Sequence, residues 1–237
     1  MGQTRGQVKA DVQANLQDLS INWYSDDDLN QSVQDAYDDI AILTQCIQYK
    51  VTIPWVSNLS YYNLSDNFNL GNYLGTIAVF NNQTNLWLRD DLSLKDFDRI
   101  RRDWEKWIGT PLFWAPSDFK NIAICPKYLD NGITYGAFDA NSFNNSAFWV
   151  NNSANSGLGS FILYYWGTAP QLQSDGDTFL IASDKTVALT QYCTADLLEQ
   201  AQEFNKANYY WGPYQANIDD YSDRVKRNCK SDLLLRL

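Results

Sequence analysis

The chain has 237 residues, 45% of them apolar and 19% charged, enough to bury a sizeable core and too apolar for global disorder. Its net charge of −10 argues against a protein whose main task is gripping nucleic-acid phosphates, though not against one that lets DNA slide past. Nine Trp, fifteen Tyr and eleven Phe supply flat contact area, either for an aromatic β core or for interfaces.

In chain order, Val8, Val12, Leu16 and Leu19 recur at helical spacing. The polar start MGQTRGQVKADVQANL has no signal-peptide pattern. Ser25 followed by Asp28 is a capping-box arrangement, with Asp26 and Asp27 placed where the helix dipole favours negative charge. It predicts a second helix whose apolar face is Leu29, Val33, Ala36, Ile40, Leu43 and Ile47. The acidic pairs Asp27–Asp28 and Asp38–Asp39 read as a solvated helix face rather than metal ligands.

After Lys50 the period changes. VTIPWV, GTIAVF, NLWLRD, NIAIC, GITYGAF, SAFWV and SFILYYW are short β-rich runs separated by Asn, Gly, Ser and Pro, and Asn131-Gly132 is a turn signal. One helix interrupts them at about 93–108, capped by Ser93 with Asp96, faced by Phe97, Ile100, Trp104 and Trp107, and stopped by Gly109 and Pro111. The strands suffice for a small sandwich or a curled sheet.

From Asp184 to Asn228 the chain reads as two helical runs. Val187, Leu189, Cys193, Leu197, Leu198, Ala201 and Phe204 face one way in the first, and Trp211, Tyr214, Ile218, Tyr221 and Val225 in the second. Gly212-Pro213 predicts a break or kink between them. The organisation is therefore α+β: a helical bundle formed by N- and C-terminal helix pairs with an inserted β-rich, sandwich-like domain. Its parts are an N-terminal helix pair at 1–50, the β-rich domain at 51–170, and C-terminal helices with a tail at 171–237.

Little in the sequence points to chemistry. With no histidine, Ser-His-Asp and Cys-His arrangements are impossible. Cys46, Cys125, Cys193 and Cys229 are far apart without a CxxC, so ordinary zinc ligand sets are excluded and reduced cytosolic thiols are expected. No apolar run approaches the roughly 20 residues that span a membrane. Sequons at Asn58, Asn63, Asn82, Asn144 and Asn151 are chance matches in an Asn-rich chain. GxxxxGK[ST] and GxGxxG are absent. SDGD at 174–177 lacks the spaced ligands of a calcium loop and reads as a turn. The basic clusters Arg99, Arg101, Arg102 and Lys106, and Arg224, Lys226, Arg227 and Lys230, read as salt-bridging or interface charge. No cofactor and no catalytic residue is expected, and the chain is read as a non-enzyme.

The order of features resembles a known family. WYSDDDLNQSVQDAYDDIA is followed by LWLRDDLSLKDFDRIRRDWEKWIGTPLFW, a strand ending in IAICP, FILYYWGTAP, the turn DGDTF and the helix VALTQYCTADLLEQAQEFNKANYYW. From about Gln7 to Arg227 this series is similar to the head-to-tail adaptor (connector, head-completion) proteins of tailed bacteriophages. The stretch Phe143–Gly159, Gly212-Pro213 and the leucine-rich tail depart from that pattern.

The resemblance implies a virion protein, made in the host cytoplasm, that forms a dodecameric ring beneath the portal protein. The ring surrounds a channel through which DNA passes without specific binding, has no membrane contact, and gives the tail or nozzle proteins their platform. Twelve copies would carry about −120, and an acidic wall repels phosphates. Arg224, Lys226, Arg227, Lys230, Leu233, Leu234, Leu235 and Leu237 are the expected portal-docking residues; the alternative is a tail folded back on its own helices. Phe148, Trp149, Asn151 and Asn152 are the expected tail-facing residues. Two rivals belong to other classes. One is a carbohydrate- or receptor-binding β module of a virion protein, against which the flanking helices argue. The other is a wall-degrading hydrolase using two carboxylates, for which no pair among the 28 acidic residues stands out.

Overall fold

The structure, a computed structural model, describes residues 3–18, 24–65, 68–128 and 159–234, the side chains of 18 and 228–234 excepted. Among them are five helices and two antiparallel sheets, a mixed α+β chain. It divides into two compact units: Met1–Ile47 with Gly167–Leu237, and Gln48–Trp166.

In the first unit, α1 (Arg5–Asp18) buries Val8, Val12 and Leu16. Helix α2 (Asp26–Thr44) begins at the expected capping box: Asp28 N–H donates to Ser25 Oγ at 3.2 Å, and Ser25 N–H donates to the Asp28 carboxylate at 2.7 Å. Three aspartates in its first turn complement the dipole. Gln45, at φ 52°, ends it in the left-handed region. Leu29, Val33, Ala36 and Ile40 face the core, but Leu43 is 50% exposed. Thr44 is buried in its stead, its hydroxyl donating to the Ile40 carbonyl at 2.7 Å. Ile47 lies beyond the helix and is buried nonetheless.

A short 3-10 turn (Ser183–Lys185) leads into α4 (Thr186–Gln200), and α5 runs from Phe204 to Leu234. Helix α4 packs against α1, α2 and α5, so Leu189, Cys193, Leu197 and Leu198 lose all contact with solvent. Val187 and Phe204, expected on the same face, are exposed. The break between the two runs falls at 201–203, with Gln202 at φ 62°, and not at Gly212-Pro213. Pro213 removes one backbone hydrogen bond. It sits on the exposed side, however, while Ala207, Tyr214, Ile218 and Tyr221 hold the opposite side of α5 in the core. Tertiary packing thus overrides the local breaker.

The second unit contains β1 (Gln48–Pro54), β2 (Tyr61–Asn63), β3 (Tyr73–Asn81), β4 (Leu86–Trp87), β5 (Phe113–Pro116), β6 (Asn121–Cys125) and β7 (Ser160–Gly167). They form one sheet in the order β1-β7-β3-β4 and another in the order β2-β6-β5. Along β7 exposure alternates, sending Phe161, Leu163 and Tyr165 inward. One core cluster joins these to Trp114, Ile122 and Ile124 of the other sheet. Trp55 sits within it, 4.5 Å from the Phe161 ring and 5.8 Å from that of Tyr128.

The opposite face of β5 and β6 presents Ala115, Ala123 and Cys125 to Phe97 and Trp104. Burial on both faces explains the unbroken apolar run of NIAIC. Helix α3 (Leu94–Ile100) starts at the Ser93–Asp96 box but is much shorter than the expected 93–108. Arg101 is extended, and a 3-10 turn (Trp104–Lys106) follows. The bend brings Phe97 and Trp104 onto one small-residue surface, their rings 5.0 Å apart, while the Trp104 indole donates to Asp98 at 3.0 Å. Ile100 is left exposed. The turn expected at Asn131-Gly132 and the runs GITYGAF and SAFWV lie outside the described residues.

An added Cβ at Gly212 meets nothing within 4 Å. Gly212→Ala should therefore stabilise the helical unit by about 1 kcal/mol, and Pro213→Ala by about 1–3 kcal/mol. Chemical denaturation followed by helix circular dichroism measures both, and a loss of stability would refute a continuous α5.

Candidate functional site

The far part of α5 is held to the start of α4 by a charged cluster. Lys185, only 6% exposed, donates to the Asp220 carboxylate. Arg224 pairs with Asp184 at 2.8 Å and with Asp220 at 3.0 Å. The Arg224 guanidinium holds the Asp184 carboxyl below the usual carboxylate range, and the Lys185 ammonium does so for Asp220. Two tyrosine hydroxyls clamp the loop that arrives there: Tyr37 accepts from Leu180 N–H at 2.6 Å, and Tyr221 from Ala182 N–H at 3.1 Å. The direction in which α5 leaves is thereby set. Helical backbone continues ten residues past Arg224 to Leu234, about 15 Å at the rise of an α-helix.

Upstream of this cluster SDGD is a turn, as its spacing implied. The Asp177 carboxylate accepts from the N–H groups of Gln173 and Ser174 at 2.6 and 2.9 Å. These backbone hydrogen bonds, that from Ser174 foremost, lower its pKa. Asp175 faces the start of α1, pairing with Lys9 at 3.2 Å, and Lys9 also reaches Asp26 at 2.7 Å. Gly6 lets the two backbones approach, since a Cβ there would lie 3.1 Å from the Asp175 Cβ.

Between α1 and the start of α4 lies an open cleft of about 560 Å³, lined by Asp11, Asn15, Asp184, Thr186, Val187 and Thr190 among others. Asp11 is exposed and Val187 is 48% exposed. Charge is unevenly spread along the chain. Residues 1–47 and 167–223 hold seventeen acidic against four basic side chains, a net of −13. Residues 224–237 hold one against five, a net of +4, and 48–166 hold ten against nine, a net of −1.

At the other end of α4, Tyr192, Trp211 and Tyr214 meet edge to face at 5.1, 5.4 and 5.6 Å. The Tyr214 hydroxyl donates to Asp39 and the Trp211 indole to Glu199. Burial first, then the carboxylates of Asp39, Asp196 and Asp35, push Tyr192 up to about 12. Tyr214 moves further in the same direction, through burial first and then its hydrogen bond to the Asp39 carboxylate.

In the β unit, a cleft of about 410 Å³ is lined by Tyr73, Trp114, Ser117 and Phe119 among others. Phe119, at the β5–β6 turn, is 92% exposed. The neighbouring Asp118 carboxylate is taken up by the N–H groups of Lys120 and Asn121 and the Asn121 amide.

Among the described residues no three His, Cys, Asp or Glu side chains gather where a metal ion could sit. No described helix is long and apolar enough to cross a membrane. Cys46, Cys125 and Cys193 are free thiols, each pushed up by burial. In the acidic pairs of α2, Asp28 caps and Asp38 accepts from Gln34 within the helix, whereas Asp39 accepts from Tyr214 of α5.

Of the residues singled out as docking candidates, Arg224 is engaged in the charged cluster, whereas Lys226 and Arg227 are exposed. Lys230, Leu233 and Leu234 lie on the α5 backbone, but their side chains fall outside the described set. Leu235, Leu237, Phe148, Trp149, Asn151 and Asn152 lie outside the described residues altogether. In the other basic cluster Arg99 pairs with Asp96 and Arg101 with Asp103, at 3.5 and 2.8 Å. The pairings of Lys185 with Asp220 and of Asp39, expected on a solvated helix face, with Tyr214 leave no mark in the sequence, because the partners stand 35 and 175 residues apart. Comparison with known proteins finds no matching family model and no matching curated protein.

The tyrosines predict an alkaline limit to the helical unit. Tyr192 and Tyr221 keep their protons up to about 12, whereas the unfolded chain releases them near 10.0. Their contribution is full below pH 10 and is lost as pH rises from about 10 to 12. Tyrosinate absorbance and helix circular dichroism should change together in that window. If the absorbance change lost in Tyr192→Phe or Tyr221→Phe falls near pH 10 and not near 12, the arrangement is contradicted.

Proposed function

We propose that this chain is a head-to-tail adaptor of a tailed bacteriophage. Copies form a ring, dodecameric on the family pattern, beneath the portal protein and around the DNA channel, and the ring offers a platform to tail or nozzle proteins. In this reading residues 1–50 and 171–237 make a helical bundle and 51–170 an inserted sandwich-like domain. It is a structural rather than an enzymatic role.

The observation that carries the proposal is α5. Its 31 residues span about 46 Å, roughly twice the length of the 15-residue α4 beneath it. The charged cluster at Asp184, Asp220 and Arg224 anchors it at the start of α4, and its basic, leucine-rich end continues past that anchor. A helix pinned at Asp220 and Arg224 whose backbone runs on past that pin suits docking onto a neighbouring component. Leu233, Leu234, Leu235 and Leu237 would be the apolar anchors on the portal. The −13 of the remaining helical residues supports the acidic channel wall.

A second reading rests on Phe119. An aromatic ring 92% exposed beside a cleft with Tyr73 and Trp114 favours a receptor- or carbohydrate-binding role for the β unit.

Native mass spectrometry of the full chain, alone and mixed with portal rings of the same phage, tests the proposal. A discrete stoichiometric complex is expected, and truncation of 230–237 should abolish it. A lone monomer that ignores the portal, with glycan binding lost in Phe119→Ala, would replace the adaptor by the second reading.

A further inference from the structure

Resting on the ring reading above, we infer that the cleft between α1 and α4 is the seat for the basic turn of α5 from a second copy of this chain. Three observations converge. The cleft is open and of a size to take side chains, about 560 Å³, with Asp11 exposed on one wall and Val187 half-exposed on the other. Among the described residues no α5 side chain lines it, although Asp184 at its rim is bridged to Arg224. The charge pattern is self-complementary: the cleft lining holds the carboxylates of Asp11 and Asp184 and no basic side chain, and the last fourteen residues carry +4.

The chain's own α5 does not fill this seat. Its Arg227 donates from Nε to the Asp223 carbonyl of the same helix at 3.2 Å. Lys226 and Arg227 are both exposed, and Lys226 has no acidic partner among the described residues. A second copy satisfies both halves at once: its Lys226 and Arg227 approach Asp11, and the aliphatic stems of the basic side chains cover Val187. The leucines lie a further two turns along the sequence, so this contact leaves them for the portal. Repeated head to tail, one contact of this kind generates a ring if its rotation closes.

The test uses full-length protein in three versions besides wild type: Asp11→Lys, the double variant Lys226→Glu/Arg227→Glu, and the triple variant combining them. None of these residues lies in the buried core, and circular dichroism checks that each version folds. Copy number is read by native mass spectrometry and sedimentation, in solution and on portal rings, at low and high salt. Each charge reversal should weaken self-association at least tenfold, the triple variant should regain it, and salt should weaken the wild type. Copy number unchanged by reversal, no recovery in the triple variant, or a wild type that never self-associates would overturn the inference.

The outcomes separate it from the adaptor reading. Full stoichiometry on the portal in every version removes the cleft contact and keeps the adaptor. Charge-dependent association into a closed dimer that ignores the portal keeps the contact and removes the adaptor.

Discussion

The burial of α4 is the constraint on which the helical unit depends. Leu189, Cys193, Leu197 and Leu198 are sealed by helices drawn from both ends of the chain, so neither end can complete its core alone. Polar bonds repeat the point, since Asn15 reaches Thr194 and Ser32 reaches Asp196 across 179 and 164 residues. Closing such loops carries an entropic cost. The β unit offsets part of it, because the antiparallel register pairs Gln48 with Trp166 and returns the chain close to where it left. Gly167 N–H then donates to the Ile47 carbonyl at 3.1 Å, and the helical unit resumes almost where it paused.

Charge is the second organising force. An excess of thirteen acidic groups in the body of the helical unit opposes compaction, and its four basic residues are used with economy. Lys9 is shared between Asp26 and Asp175, and Lys185 meets Asp220. Both lysine side chains are almost fully buried, tying α1 to the turn before α4 and the start of α4 to α5. The basic residues past Arg224 take little part in this internal pairing among the described residues. They give the molecule an end of opposite sign, and that polarity is what makes head-to-tail contact between copies physically reasonable.

Much of the secondary structure was legible locally. Ser25–Asp28 and Ser93–Asp96 start helices because a capping box is satisfied within four residues. The step of three and four in α2 and the alternation in β7 follow from the periods of helix and strand. Failures occurred where a distant surface outvoted a local signal. The stretch 101–108 left the helix so that Trp104 reaches Ala115 and Ala123, and Gly212-Pro213 stayed helical because Tyr214 and Ile218 are pinned. Leu43 lost its place in the core to Thr44, whose hydroxyl bonds back to its own helix.

The sequence by itself determined the α+β class, the starts of α2 and α3, the absence of histidine chemistry and the lopsided charge, because each follows from residue type and spacing alone. Tertiary structure decided where α5 begins, which aspartates are engaged and which basic residues are left outward. Those outcomes depend on side chains tens to hundreds of residues apart competing for the same partner, and linear spacing carries no record of that competition.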